Sequence, residues 1–341
     1  MARFPAIRLL AALGACSVPV LAMAATPTGA YRDYADLSEL GRSYGLQVGW
    51  PVPGRQLRLQ SQWTTLEFEG GSREASWNGV RLFLGEAVQP RGGSLAISPT
   101  DLRAILRPLL DPAAMPSPGP ARLVVIDAGH GGNDPGTENR ALKLQEKTFT
   151  LDVARRLKAD LERRGFQARL VRSTDVRLAR TQTADLKRRA AVANRAAADI
   201  FISIHFNSLP DSPGTSGVET YALTPAGQRS TSAPSRSRSD RVVHAGNRHD
   251  HWNAVLAAAV HRQLLAKLGA VDRGLKRARF AVLREVRSPA VLIEAGFLSN
   301  RAEARRISTP AYRQSIAEAI ADGIGDYAAR ARRAATTPDK G

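Results

Sequence analysis

Cysteine is nearly absent: Cys16 is the only one in 341 residues, and it lies within the first 25. Internal disulfides and thiolate metal sites are thereby excluded from the folded part, so a metal ion must be held by nitrogen and oxygen donors. Acidic residues are few against basic ones, 31 against 49, which leaves a formal net charge of +18. Aromatic residues make up only 6%. No zinc-finger, helix-turn-helix or RNA-binding aromatic motif accompanies the positive charge, so nucleic acid is set aside as a partner. A balance of this kind suits a different anionic surface, such as a cell-envelope polymer or acidic lipid. Beyond residue 25 no run approaches about 18 continuous apolar residues, so no transmembrane helix is expected in the mature chain.

The first residues have their own pattern. Arg3 and Arg8 precede an apolar run that ends in Ala22-Met23-Ala24, the basic start, apolar middle and small-residue exit of an export signal over 1–25. Its removal takes two positive charges from the +18. Leu13-Gly14-Ala15-Cys16 resembles a bacterial lipoprotein processing box. The apolar run ahead of it, from Leu9 to Ala15, is short for such a region, so Cys16 is read as discarded with the leader, with lipidation as the alternative.

Asp111-Pro112-Ala113-Ala114-Met115-Pro116-Ser117-Pro118-Gly119-Pro120 reads as an extended Pro-rich linker over 111–121. It divides a small β-rich front domain, 30–110, from a larger rear domain, 122–333. In front, short alternating runs at 46–50, 56–59, 65–68 and 81–84 are separated by Gly70-Gly71, Asn78-Gly79 and Gly92-Gly93. Ser98-Pro99-Thr100-Asp101 then opens a short helix over about 102–107. In the rear part, strands at 124–127, 168–172, 200–204, 218–223 and 291–294 alternate with helical patterns at 149–163, 186–198, 252–268 and 310–331, which argues for α/β layering. Residues 224–247 hold almost no apolar side chains and are expected to form a mobile loop.

Four rear segments carry the groups that could do chemistry. His130 follows Val124-Val125-Ile126-Asp127 and precedes Gly131-Gly132; Glu146 lies just before a helix; His205 ends Phe201-Ile202-Ser203-Ile204; Glu294 follows Val291-Leu292-Ile293. Open α/β sheets place functional groups at the carboxyl ends of their strands. Two imidazoles and one carboxylate with an open position suit a catalytic zinc ion, and a further carboxylate beside them suits a general base. Each residue also has a structural alternative, as a hydrogen-bonded strand-end histidine or a helix-terminus carboxylate. Glu294 and Asp127 resist it most, because a carboxylate in a buried strand needs a partner or a function. Asp127 is read as orienting a ligand histidine. His244, His249, His251 and His261 are read as loop or helix-surface residues.

Taken in order, the motifs resemble one family, the zinc-dependent N-acetylmuramoyl-L-alanine amidases of the kind that separate daughter cells. The resemblance runs through Ile126-Asp127-Ala128-Gly129-His130-Gly131-Gly132, Glu146, Ile204-His205-Phe206-Asn207, Gly217-Val218-Glu219, Asp272-Arg273-Gly274-Leu275-Lys276 and Ile293-Glu294-Ala295-Gly296-Phe297. It implies one zinc ion held by His130, Glu146 and His205, with Glu294 as the catalytic carboxylate. It also implies a mixed, mostly parallel sheet of about six strands between helices. Asn207 and the turn at Gly131 and Gly132 are expected to offer hydrogen-bond donors to the stem peptide of peptidoglycan. Ala128, Phe206 and Arg172-Ser173-Thr174-Asp175 depart from the family pattern and put the pocket shape in question. The front domain loosely resembles the copper-amine-oxidase N-terminal-like module, which implies a wall-binding or stalk role and no copper. Expected partners are peptidoglycan and an activator protein, for a monomeric chain in the periplasm or cell envelope. The competing readings are another envelope zinc amide hydrolase, acting as a peptidase or deacetylase, and a non-catalytic wall-binding protein.

Overall fold

The computed structural model describes residues 31–336, and from Asp33 onward these form one compact unit. The expected leader over 1–25 and Cys16 lie outside the described residues. Among the described residues no helix is long and apolar enough to cross a membrane.

Eleven strands build one sheet. Five come from the front region: β1 (Gln47–Val52), β2 (Gln56–Gln60), β3 (Thr65–Glu69), β4 (Glu74–Trp77) and β5 (Val80–Phe83). Six come from the rear: β6 (Leu123–Ala128), β7 (Gln167–Leu170), β8 (Ile200–Asn207), β9 (Val218–Leu223), β10 (Asp272–Ala278) and β11 (Ala290–Phe297). Their order is β7-β6-β8-β11-β9-β10-β5-β4-β3-β2-β1. The rear six are parallel to their neighbours except where β9 runs antiparallel to β11. That is the mixed, mostly parallel six-stranded sheet expected from the sequence.

The sheet does not stop at the expected boundary between the front and rear parts. β5 pairs parallel with β10 at Leu82 and Leu275, so the front strands extend the rear sheet. The reason is edge chemistry: β5 and β10 each have an unpaired edge, and joining them satisfies both. Nor does the Pro-rich segment hang free, since Pro112–Ala114 forms a 3-10 turn and the Pro116 carbonyl accepts from Trp252 Nε1 at 2.7 Å. The strand at β10 was not anticipated, because Asp272-Arg273-Gly274-Leu275-Lys276 lacks an apolar run.

Helices cover the rear sheet. α1 (Glu146–Arg163) buries Leu151, Ala154, Leu157 and Leu161 along one stripe, and α2 (Gln182–Arg195) buries Ala190 and Ala193. α3 (Asp250–Leu268) is apolar nearly all round, as a helix packed on more than one side must be. It lies between the sheet and α4 (Pro310–Thr336), with Trp252 edge-on to Tyr327 at 5.7 Å.

Residues 224–247 were expected to be mobile; instead they are tied to the body by guanidinium groups. Arg279 donates to the carbonyls of Pro225, Gln228 and Asp240 and to Asp240 Oδ1. Thr231 exchanges two 2.8 Å bonds with the Arg277 backbone, and Arg236 pairs with Glu86 at 2.6 Å. Polar bonds to carbonyls, not apolar burial, order this segment, and composition does not reveal them.

Candidate metal centre and active site

β6 and β8 run parallel and adjacent, and their carboxyl ends deliver His130 and His205 to the same place. The rings meet edge-on with centroids 5.0 Å apart. Glu146 opens α1 and enters between them: its Oε1 lies 3.2 Å from His130 Nε2 and 3.0 Å from His205 Nδ1. Backbone amides aim this carboxylate, Phe206 N donating to Oε1 at 3.0 Å and Thr137 N to Oε2 at 2.8 Å. Burial disfavours charge on Glu146, yet the bonds from both imidazoles outweigh it and hold the carboxyl well below its ordinary range. The candidate ligand atoms of His130, Glu146 and His205 lie within 4.8 Å of one another. Two imidazole nitrogens and one carboxylate oxygen converging at that spacing fit a divalent metal ion.

Glycine makes the cluster possible at two positions. A Cβ on Gly129 would lie 2.3 Å from the His205 ring. At Gly136, where φ is +66°, it would lie 2.6 Å from both Glu146 Oε2 and His130 Cδ2. Any larger residue would therefore displace a ligand. His130 itself has φ +62°, a left-handed conformation that a non-glycine residue keeps only when its surroundings hold it there.

Arg189 does the holding. Fully buried, it donates to Asp127 Oδ1 (2.8 Å), Asp185 Oδ2 (2.5 Å), the Ala128 carbonyl (2.8 Å) and the His130 carbonyl (2.7 Å). Arg172 adds bonds of 2.9 Å to the carbonyls of Ala128 and Gly129. Asp127, expected to orient a ligand histidine, reaches His130 through Arg189 and touches neither ring. Both of its oxygens are taken, by Arg189 and by Ser203 Oγ at 2.9 Å. The partner of His130 Nδ1 is Asp134, at 3.1 Å.

Glu294 stands beside His205 in the β8–β11 register and beside Glu219 in the β11–β9 register. Its Oε2 is sealed from solvent and has no hydrogen-bond partner among the described residues. Burial first, then the nearby Glu146 and Glu219 carboxylates, push its carboxyl well above the ordinary range. It faces a cavity of about 270 Å³ shared with His130 and His205 and walled by Leu186, Phe280 and Val282. A larger groove of about 450 Å³ on the front strands contains no metal-ligating cluster, so the smaller cavity is the one with chemistry.

The other expected donors are engaged within the protein. Gly131 N donates to the Asp134 carbonyl at 2.9 Å and Gly132 N to Asp175 Oδ1 at 2.7 Å, so these donors are already used inside the turn. Asn207 Nδ2 donates to Glu219 Oε2 at 3.1 Å instead of pointing a free amide at a ligand. Glu219 also accepts from Tyr221 (2.7 Å), Arg273 (3.1 Å) and Lys276 (2.6 Å), which keep it ionised against burial. Phe206 is fully buried and packs edge-on to Phe149, so that departure from the family pattern does not touch the cavity. His261 is no surface residue: it is fully buried between Thr220 Oγ1 and Asp272 Oδ1, at 2.9 Å from each.

The roles of Arg189, Arg172 and Asp134 were not read from the sequence. Only Asp134, four residues after His130, carried a local signal.

Comparison with known proteins agrees with the site. The family model for N-acetylmuramoyl-L-alanine amidases (Amidase_3) matches residues 124–326, beginning after the front strands. An uncharacterized cell wall amidase of Bacillus anthracis is 32% identical over 207 residues, 60% of this chain and 35% of that protein. This chain thus spans just over a third of the length of that relative. AmiA of Escherichia coli (strain K12), an N-acetylmuramoyl-L-alanine amidase, is 33% identical over 264 residues, 71% of this chain and 88% of that one. Among solved structures, the CwlD amidase of Clostridioides difficile, in complex with the GerS lipoprotein, is 26% identical with a TM-score of 0.50, covering 60% of this chain and 98% of its own.

Proposed function

This chain belongs to the N-acetylmuramoyl-L-alanine amidase family, and we propose that it hydrolyses the amide between the lactyl group of N-acetylmuramic acid and L-alanine in peptidoglycan. The observation that carries the reading is the unpartnered Glu294 carboxylate facing the same cavity as His130 and His205. We propose further that His130, Glu146 and His205 hold one zinc ion. When bound, zinc supplies Lewis acidity and lowers the pKa of a coordinated water to about 7.

The chain's own residues do the rest. Glu294 takes a proton from the attacking water, whose oxygen forms a bond to the lactyl carbonyl carbon. The carbon–nitrogen bond then breaks, and Glu294 returns the proton to the departing L-alanine nitrogen. A carboxyl held above its ordinary range is the stronger base, which favours taking the proton from water. Glu219, fixed by four donors, keeps a constant negative neighbour beside it. Phe280, Leu186 and Val282 give the cavity an apolar wall.

The same reading assigns the chain to the cell envelope after loss of residues 1–25, and gives the front strands a wall-binding role. The deciding experiment is mass spectrometry of products released from purified peptidoglycan by the chain from residue 26, with and without a zinc chelator. Stem peptides beginning at L-alanine, lost on chelation, are expected. Shorter peptides or deacetylated sugars would assign a different bond, and no release from a chain that binds no zinc would make it a binding protein.

A further inference from the structure

The amide chemistry leaves the 450 Å³ groove of the front strands without a role. Gln56, Arg58, Glu67, Glu74, Ser76 and Arg81 line it, all on the outward face of β2 to β5. This is the face of the sheet that also carries Glu294. Residues directly opposed across two strands share a face, and the register can be followed strand by strand. Glu294 opposes Glu219, Leu292 opposes Tyr221, and Tyr221 opposes Lys276. Leu275 pairs with Leu82, both in the core on the far side, which leaves Lys276 and Phe83 together on the near side, 5.7 Å apart. Phe83 then opposes Glu74, Arg81 opposes Ser76, Ser76 opposes Glu67, and Glu67 opposes Arg58.

Distance limits what can use both places. From β11 to the β4–β3 pair is four to five strand steps of about 4.8 Å, or roughly 20 Å. An extended peptide covers about 3.4 Å per residue, so a stem of about four residues falls short of the groove. A ligand that reaches it belongs to a long polymer.

The chemistry of the groove narrows the ligand further. Arg58 and Glu67 pair at 2.8 Å, and Arg81 and Glu74 at 2.6 Å, so these charges cancel within the groove. Of the two other carboxylates lining it, Glu69 pairs with Arg55 and Asp272 with His261. In the Arg58 and Arg81 pairs, Nε and Nη2 both go to a single carboxylate oxygen. Each pair leaves its second carboxylate oxygen and its Nη1 outside those contacts. Cancelled charge gives an ionic ligand little hold, whereas donors on β2 and β5 flanking acceptors on β3 and β4 match neutral hydroxyl and amide groups. In the turn between β2 and β3, Trp63 is 79% exposed, and its carbonyl accepts from Asn78, the neighbour of the Gly79 that lines the groove. An indole so placed offers a flat apolar surface with a polar edge.

We propose that this groove binds the glycan backbone of peptidoglycan, a run of N-acetylated sugars some distance along the strand from the amide being cut. The polymer's identity rests on the amidase reading; the placing of groove and Glu294 on one face rests on the sheet register.

The test compares the full chain with a variant carrying Arg58→Thr, Glu67→Thr and Trp63→Ala, which removes a charge pair together and strands neither partner. Two probes are used, glycan strands stripped of stem peptides and isolated stem peptides. The natural chain is expected to bind the glycan strands, with a Kd about tenfold higher in the variant. The ratio of its rate on insoluble peptidoglycan to its rate on a single disaccharide–peptide fragment is expected to fall by a similar factor. Equal glycan affinity in the two proteins overturns the proposal, and so does capture of stem peptides in place of glycan. Should the variant unfold, Gln56→Ala with Ser76→Ala gives the same comparison without touching an ion pair. If the natural chain cuts neither substrate, the amidase reading fails, while the glycan-binding comparison still decides the groove.

Discussion

The front and rear halves of the sheet treat carboxylates in opposite ways. In front, Glu67, Glu69 and Glu74 lie on a solvent-facing surface and pair with exposed arginines, an arrangement that contributes little energy and costs little to lose. At the rear, strands are buried on both faces, so every carboxylate must be matched. Asp127 has Arg189 and Ser203, and Glu219 has four donors. Glu294 alone among these keeps an unpartnered, solvent-sealed oxygen. For stability an acidic residue means little in the front half and a great deal in the rear half, and the odd one out identifies itself only against neighbours that are fully paired.

The largest expected effect falls on that residue. Glu294→Ala should lower kcat by about 10²–10⁴-fold while bound metal stays near one equivalent, measured by turnover and metal analysis together. Surviving activity would remove Glu294 from the role of base. Next comes Arg189→Ala, which leaves Asp127 and Asp185 buried without their cation and should cost about 3–5 kcal/mol in thermal or denaturant unfolding. Stripping the metal is a smaller perturbation. At a metal concentration about 100 times its Kd, chelation should lower stability by about 2.7 kcal/mol, read as a drop in Tm that His205→Ala does not show. A finer test is Glu219→Gln. Glu219 is one of the charges that raise the Glu294 carboxyl, and the base must be ionised to act. Removing that charge lowers the folded-state value, so the acidic limb of the pH–rate profile should move to lower pH. The smallest change belongs to the front half, where Arg58→Ala should alter unfolding free energy by less than about 1 kcal/mol. A large loss there would break the contrast between the two halves.

Much of this was legible beforehand because it is written in local patterns. Apolar β-branched runs mark β6, β8 and β11, and the residue after each run is His130, His205 or Glu294, or lies close to it. Asn78-Gly79 announces a two-residue hairpin turn, and both residues do take positive φ, 50° and 78°. What stayed hidden depends on contacts far apart in sequence. Arg189 reaches Asp127 across 62 residues from a helix whose charged positions look like any solvated face. The binding of residues 224–247 rests on Arg279 finding carbonyls 39 to 54 residues away. The front and rear halves looked separate because a Pro-rich segment lies between them, while the pairing that unites them uses β10, whose charges and glycine conceal a strand.

That pairing has a consequence for how the molecule is made. Arg81 N donates to Asp272 Oδ2 across 191 residues, next to the Leu82–Leu275 contact. At synthesis rates of about 5–20 residues per second, β5 waits roughly 10–40 s for the strand that covers its edge. Through that interval the front sheet carries a bare template for another copy of itself. A chain ended before β10 never closes that edge, so residues 33–110 made alone should self-associate more than the full chain.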